Sequence, residues 1–205
     1  PHLQFDLLGA QIEACHQIGV RAPIYVTVGW SASDLKRHPD WAARNKDGSV
    51  AHFSFDPKAK AADPKPICSW QFLCPSGPYR QHILDLTAEL CVRYPVDGIF
   101  YDICMPDVPL CRCARCQKGM EQAGLDPEND THAHKYTLEK WVSFGHACRQ
   151  IIHARHPAAT IFFNGQAALN SPATLRGYVT HFELEDLPTF SGGYDKFPLR
   201  SKVFI

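Results

Sequence analysis

The 205-residue chain carries no excess charge of either sign: 21 Lys and Arg stand against 21 Asp and Glu. That balance removes the electrostatic basis for gripping a phosphate backbone or an anionic bilayer, so neither nucleic acid nor membrane is an expected partner. Long apolar runs are also missing. No stretch approaches the roughly 20 apolar residues that cross a bilayer, and no signal-peptide pattern opens the chain. No GxGxxG turn follows a strand and no Walker loop is present, which takes away the main support for nucleotide binding.

Cysteine, by contrast, is abundant. There are nine, an odd number that argues against a closed set of disulfides. Cys111, Cys113 and Cys116 crowd into CRCARC, where side chains two and three residues apart can turn onto one ion. A reducing, cytoplasmic setting and a metal form the simpler reading; free thiols are the other. Cys15, Cys91, Cys104 and Cys148 lie in apolar helical or strand contexts and read as small buried hydrophobes.

Hydrophobic periodicity predicts an alternating order of strands and helices. Residues 5–17 have a helical period that Gly19 stops, and PIYVTVGW follows as a strand buried on both faces. A long connection, residues 31–76, contains a turn at Asp47-Gly48. Ser76 caps a helix with Pro78 in its first turn, and Pro95 ends that helix before the strand Val96 to Tyr101. A short helix closes at Gly124 and a long one at Pro157. TIFFNG, residues 160–165, and YVTHFELED, residues 178–186, are further strands, the latter with Val179 and Phe182 inward. NKDGSVAHFSF, residues 45–55, reads as a small hairpin turning at Asp47-Gly48, and no larger antiparallel hairpin is expected.

This α/β order fits a doubly wound sheet or part of an eight-stranded barrel. The barrel is favoured because polar or aromatic groups close each strand end in turn: Trp30, Asp102, Asn164 and the acids after Phe182. Four strands and the start of a fifth are too few to close one. With Pro1 at one end and Val203-Phe204-Ile205 at the other, residues 1–205 read as a single truncated domain.

Active sites of parallel α/β proteins are built at the C-terminal ends of strands, so Asp102 is a catalytic candidate, with helix capping as the alternative. Trp30, just past a strand, is a stacking platform for a sugar ring or a plug closing the core. The five histidines between His132 and His156 read as surface or capping residues.

The run VDGIFYDI followed by CRCARC resembles the hypothetical glycosyl hydrolase six family, found in proteins similar to α-L-fucosidases and distantly similar to zinc-containing β-galactosidases. HPDW at His38, LCPSGPYR ending at Arg80 and the stretch from Glu183 to Tyr194 carry the same resemblance. It implies a partial (β/α)8 TIM barrel, about strands three to seven, of a glycosidase acting on a carbohydrate. Retaining fucosidases of this kind place the nucleophile at the end of the fourth strand, where Asp102 falls. The acid is then Glu185 or Glu183, which alternation puts on one side of their strand, and Trp30, Asn164 and His181 are substrate-binding candidates. In the β-galactosidases a Cys of a CPNSPxYR-like segment completes a structural zinc site. The matching position here is Cys74, in CPSGPYR, alongside Cys111, Cys113 and Cys116; Cys104 and Cys68 compete for the fourth place.

No catalytic cofactor is implied, and a homo-oligomer is compatible with the full-length protein. Two other classes fit: a β-galactosidase-like hydrolase, which would have Glu after Asn where this chain has Tyr101-Asp102, and a non-catalytic, zinc-braced carbohydrate-binding remnant.

Overall fold

The computed structural model describes residues 4–54, 69–104, 110–164, 177–182 and 194. The elements run α1 (Leu7–Gln17), β1 (Ile24–Thr27), α2 (Ala32–Arg37), a 3-10 turn (Pro39–Trp41), β2 (His52–Ser54), β3 (Ser69–Gln71), α3 (Pro78–Arg93), β4 (Gly98–Asp102), α4 (Ala114–Gln122), α5 (Asp130–Arg155) and β5 (Thr160–Phe163). They divide between two compact units: one formed by residues 1–26, 84–102 and 145–205, the other by residues 27–83 and 103–144.

The first unit is built on a three-stranded sheet in the order β1-β4-β5, with β4 central. β4 and β5 are parallel and in register from Gly98↔Thr160 to Tyr101↔Phe163. A parallel pair needs a crossover, and the 26 residues of α5 lie between its two strands in sequence. Gly98 is required by the close approach of β5, since a Cβ there would lie 2.1 Å from Thr160 Oγ1 and 2.9 Å from its carbonyl oxygen.

The strand period of two sorts the side chains onto two faces. Ile24, Val26, Ile99, Tyr101, Ile161 and Phe163 are buried. Their face is covered by α3 and α5: the Tyr101 hydroxyl lies 2.8 Å from Thr87 Oγ1 of α3 and also meets Cys148 of α5. Burial pushes the Tyr101 phenol well above its ordinary pKa, so it stays protonated and available as a donor. On the opposite face stand Tyr25, Phe100, Asp102 and Phe162. Tyr25 is 56% exposed, so β1 is buried on one face and not on both as its apolar run suggested.

Residues 178–182 depart from the expected strand. Of the two residues expected inward, Val179 is half-buried and Phe182 is 41% exposed, while Tyr178 is buried, and residues 177–182 run through turns and bends up to the last of them. The cause is local. The Tyr178 ring fills a notch at Gly145, where a Cβ would lie within 2.6 Å of it, and packs 5.1 Å from the Phe163 ring. Thr180 then uses its hydroxyl, as well as its N–H, to satisfy the backbone of Ile161.

In the second unit, β2 and β3 pair antiparallel, from His52↔Gln71 to Ser54↔Ser69, so residues 52–54 of the expected small hairpin pair with β3, while Arg44 and Val50 bridge across its turn. The segment after β1 is woven into it: Leu73 N–H donates to the Gly29 carbonyl, Cys74 N–H to Trp41 and Ala43 N–H to Phe72. The expected turn at Asp47-Gly48 forms, with Gly48 at φ +81° and Asp47 accepting from Ser49 N–H. α3 starts at Pro78, so Gly77 occupies the capping position one residue beyond the expected Ser76.

Candidate functional site

Asp102 is the last residue of β4, half-buried, on the sheet face opposite Tyr101. Its Oδ2 accepts a hydrogen bond from the Tyr25 hydroxyl of β1. Directly after it, Ile103 takes φ +60°, a left-handed conformation rare for a β-branched residue and costing about 1–3 kcal/mol. Ile103 is buried, and its carbonyl oxygen packs so closely on Gly29, itself at φ +87°, that a Cβ there would lie 2.2 Å away. The chain thus leaves β4 through a constrained turn.

In the same unit, Asn164 follows β5 and its N–H donates to the Tyr101 carbonyl at 3.0 Å, continuing the parallel ladder by one residue. His181 is exposed, with its ring 4.4 Å from that of Phe162 and Nδ1 3.1 Å from Thr180 Oγ1. Phe162 stacks on Phe100 at 4.7 Å, and Phe100 meets the edge of Tyr25 at 5.6 Å. A row of rings therefore crosses the three strands beside Asp102. Glu183, Glu185 and Asp186 lie outside the described residues.

In the second unit, Trp30 is half-buried beside the core, bridged to Phe72, its ring stacked 6.0 Å from that of Trp70. Phe53 of β2 packs 5.9 Å from the other partner, Trp70.

The same unit gathers Cys74, Cys111, Cys113 and Cys116, whose Sγ atoms all lie within 4.8 Å of one another. Cys74 precedes α3, Cys111 and Cys113 lead into α4, and Cys116 is on its first turn. Cys74 Sγ is 3.7 Å from that of Cys113 and 3.4 Å from that of Cys116. Zinc–sulfur bonds of about 2.3 Å in a tetrahedron give sulfur separations of about 3.8 Å, so the four donors fit such an ion. Cys74, Cys111 and Cys116 are buried and Cys113 is partly exposed. Hydrogen bonding to Cys111 drives the Cys74 thiol far up and that of Cys113 far down. Four thiolates this close can coexist only around a cation. Cys104 is buried outside this group, and Cys68 lies outside the described residues.

Arg112, between two of the sulfurs in sequence, is only 4% exposed and anchors the loop through Asp130 at 2.7 Å. Lys46 joins the same carboxylate at 3.1 Å, and Arg112 N–H donates to the Arg44 carbonyl. Neither this anchor nor Tyr25 was singled out by sequence reasoning. The alternation of Tyr25 with Ile24 and Val26 was the available signal for the latter.

The mixed α/β fold with its parallel sheet is similar to that of glycoside hydrolase domains. Residues 1–103 match the family described as hypothetical glycosyl hydrolase 6, and the chain belongs to that family. Among solved structures it is similar to an α-L-fucosidase isoenzyme 2 from Paenibacillus thiaminolyticus, at 33% identity and TM-score 0.81 over 98% of this chain. A cold-adapted β-galactosidase from a Rahnella species matches 97% of the chain at 15% identity and TM-score 0.67. A β-galactosidase from the Antarctic haloarchaeon Halorubrum lacusprofundi matches 92% at 12% identity and TM-score 0.59. The latter two share the fold. The chain spans 29% of the length of the fucosidase and 34% of each galactosidase. Comparison with curated proteins gives no match.

Proposed function

We propose that the chain is part of a retaining exo-glycosidase of α-L-fucosidase type, contributing about strands three to seven of a (β/α)8 barrel, with Asp102 as nucleophile. The observation that carries this reading is the position of Asp102, at the C-terminal end of β4 on the sheet face away from α3 and α5, in a chain 33% identical to an α-L-fucosidase. In the first step a carboxylate oxygen of Asp102 attacks the anomeric carbon while the glycosidic bond breaks. The leaving oxygen takes its proton from Glu185 or Glu183. Water, deprotonated by the same acid now acting as base, then releases the sugar and restores the carboxylate. Retention calls for about 5–5.5 Å between the two carboxyl groups.

Asn164 and His181, which follow the neighbouring strand and the segment beside it, are the proposed sugar contacts, with Trp30 as a stacking surface. Cys74, Cys111, Cys113 and Cys116 would hold a zinc ion. A closed set of four thiolates leaves no position for water, so its contribution is to fix the loop that follows β4 in sequence.

The test is turnover of aryl α-L-fucoside and aryl β-D-galactoside by the intact barrel protein, with Asp102→Asn beside it. Fucoside cleavage that drops by orders of magnitude in the variant, with sugar binding retained, is the expected result. Cleavage that survives the substitution removes Asp102 from the mechanism.

A further inference from the structure

We propose that Thr180 is a positioning residue for His181, its hydroxyl holding the imidazole at Nδ1 so that Nε2 is the nitrogen presented to the sugar. The inference rests on the reading of His181 as a sugar contact. It starts from the backbone of β5. The N–H groups of Thr160 and Asn164 donate to the carbonyls of Asp97 and Tyr101, so alternate residues of β5 turn toward β4 and Ile161, one residue off, turns to the opposite edge. There the Ile161 carbonyl accepts from Thr180 N–H, and Ile161 N–H donates to Thr180 Oγ1, both at 2.8 Å. The hydroxyl is thus fixed on a strand, although its own segment runs through turns and bends.

The same oxygen lies 3.1 Å from His181 Nδ1. A hydroxyl has one proton and two acceptor lone pairs, and Ile161 N–H takes one of the lone pairs. Two arrangements satisfy the rest. The proton goes to Nδ1, or it goes to the Ile161 carbonyl at 3.2 Å and Nδ1–H donates to the oxygen. Nδ1 is engaged in both. An imidazole has two side-chain torsions to fix, and two contacts fix them: the hydroxyl at Nδ1 and the Phe162 ring, 4.4 Å away between centroids. Nδ1 adjoins the ring carbon that joins the side chain, whereas Nε2 is the distal nitrogen. Holding the near nitrogen on β5 therefore aims the far one before substrate arrives.

The experiment compares wild type, His181→Ala, Thr180→Val, Thr180→Ser and the Thr180→Val/His181→Ala double variant in the intact barrel protein. Assays use whichever of aryl α-L-fucoside and aryl β-D-galactoside the wild type cleaves, at a temperature well below the lowest thermal midpoint of the set. We expect His181→Ala to lower kcat/KM about 10²-fold and Thr180→Val about tenfold, with Thr180→Ser restoring all but about twofold. On the His181→Ala background, Thr180→Val should change kcat/KM by no more than about twofold, because the hydroxyl acts through the imidazole. An equal loss on both backgrounds, or none on either, overturns the proposal. A second pair leaves Thr180 in place: His181→Gln puts an amide near the Nε2 position and His181→Asn one near Nδ1. Gln should keep more activity than Asn, and the equal or reverse order also overturns the proposal. If His181→Ala keeps wild-type kcat/KM while Asp102→Asn is inactive, the sugar-contact reading and this inference fail and the nucleophile stands. No turnover of either glycoside by wild type overturns the glycosidase reading and this inference with it.

Discussion

The hydroxyl of Tyr101 and that of Thr87 are 2.8 Å apart, and both residues are fully buried between β4 and α3. This bond lies on the buried face of β4, which Tyr101 shares with Ile99. With Tyr101 turned toward the helices, the strand period turns Asp102 the other way. Tyr101→Phe removes a hydrogen bond between two buried hydroxyls and should cost about 0.5–1.5 kcal/mol, read from the urea midpoint. A double-mutant cycle with Thr87→Val should show coupling between the two side chains.

Metal content is a direct check on the four sulfurs. The purified protein should hold one equivalent of zinc through dialysis. Cys74→Ser should lose it and melt at a lower temperature, because binding free energy at such a site is folding free energy. Cys104→Ser, outside the cluster, should keep the metal. The opposite pattern in the two variants would show that the ligand set is misassigned.

Two glycines mark where backbones and rings touch. Gly98→Ala puts a methyl group against Thr160, and Gly145→Ala puts one into the Tyr178 ring. Each should destabilise by about 1–3 kcal/mol through forced displacement of its neighbour. Gly145→Ala should also change near-ultraviolet circular dichroism as Tyr178 is pushed from its notch. Gly48→Ala, in open space but at φ +81°, offers a comparison in which only backbone strain is added.

Asp97 should contribute to acid sensitivity. Desolvation works against its charge, but the Ala22 N–H at 2.8 Å and the His16 ring at 2.7 Å outweigh it and hold the carboxyl below 3.8. A carboxyl whose folded pKa is lowered stabilises the fold above its unfolded value and loses that contribution as pH falls through the folded value. Stability should therefore fall below about pH 4, and Asp97→Asn should flatten that part of the curve while lowering stability at pH 7. Asp6 and Asp47, held down by hydrogen bonds from Gly9 and Ser49, act in the same direction, so some slope should remain. Thermal midpoints from pH 2.5 to 7 measure it.

Much of the architecture could be read from pattern. Gly19 and Gly124 end their helices at positive φ, Pro78 opens α3, and the β-branched run ending at Asp102 is a strand. The three closely spaced cysteines were legible because ligand spacing is local. Cys74 needed the family resemblance, since it lies 42 residues from Cys116 and no periodicity connects them. What stayed hidden depends on contacts between distant segments. The β2–β3 pairing joins three residues to three others across a long connection, too few to leave an alternating signature. The burial of Tyr178 depends on a notch supplied by Gly145 of α5. Tyr25 was read as one more buried aromatic because β propensity says nothing about which face of a strand is open.

The separation of Cys74 from its partners also has a meaning in time. At about 5–20 residues per second, roughly 2–8 s of translation pass between Cys74 and Cys116. α3 and β4 are synthesised within that interval. A metal ion cannot be enclosed by four sulfurs until the strand bearing Asp102 has left the ribosome. Metal capture would therefore act as a latch that closes behind the strand once its sequence is complete.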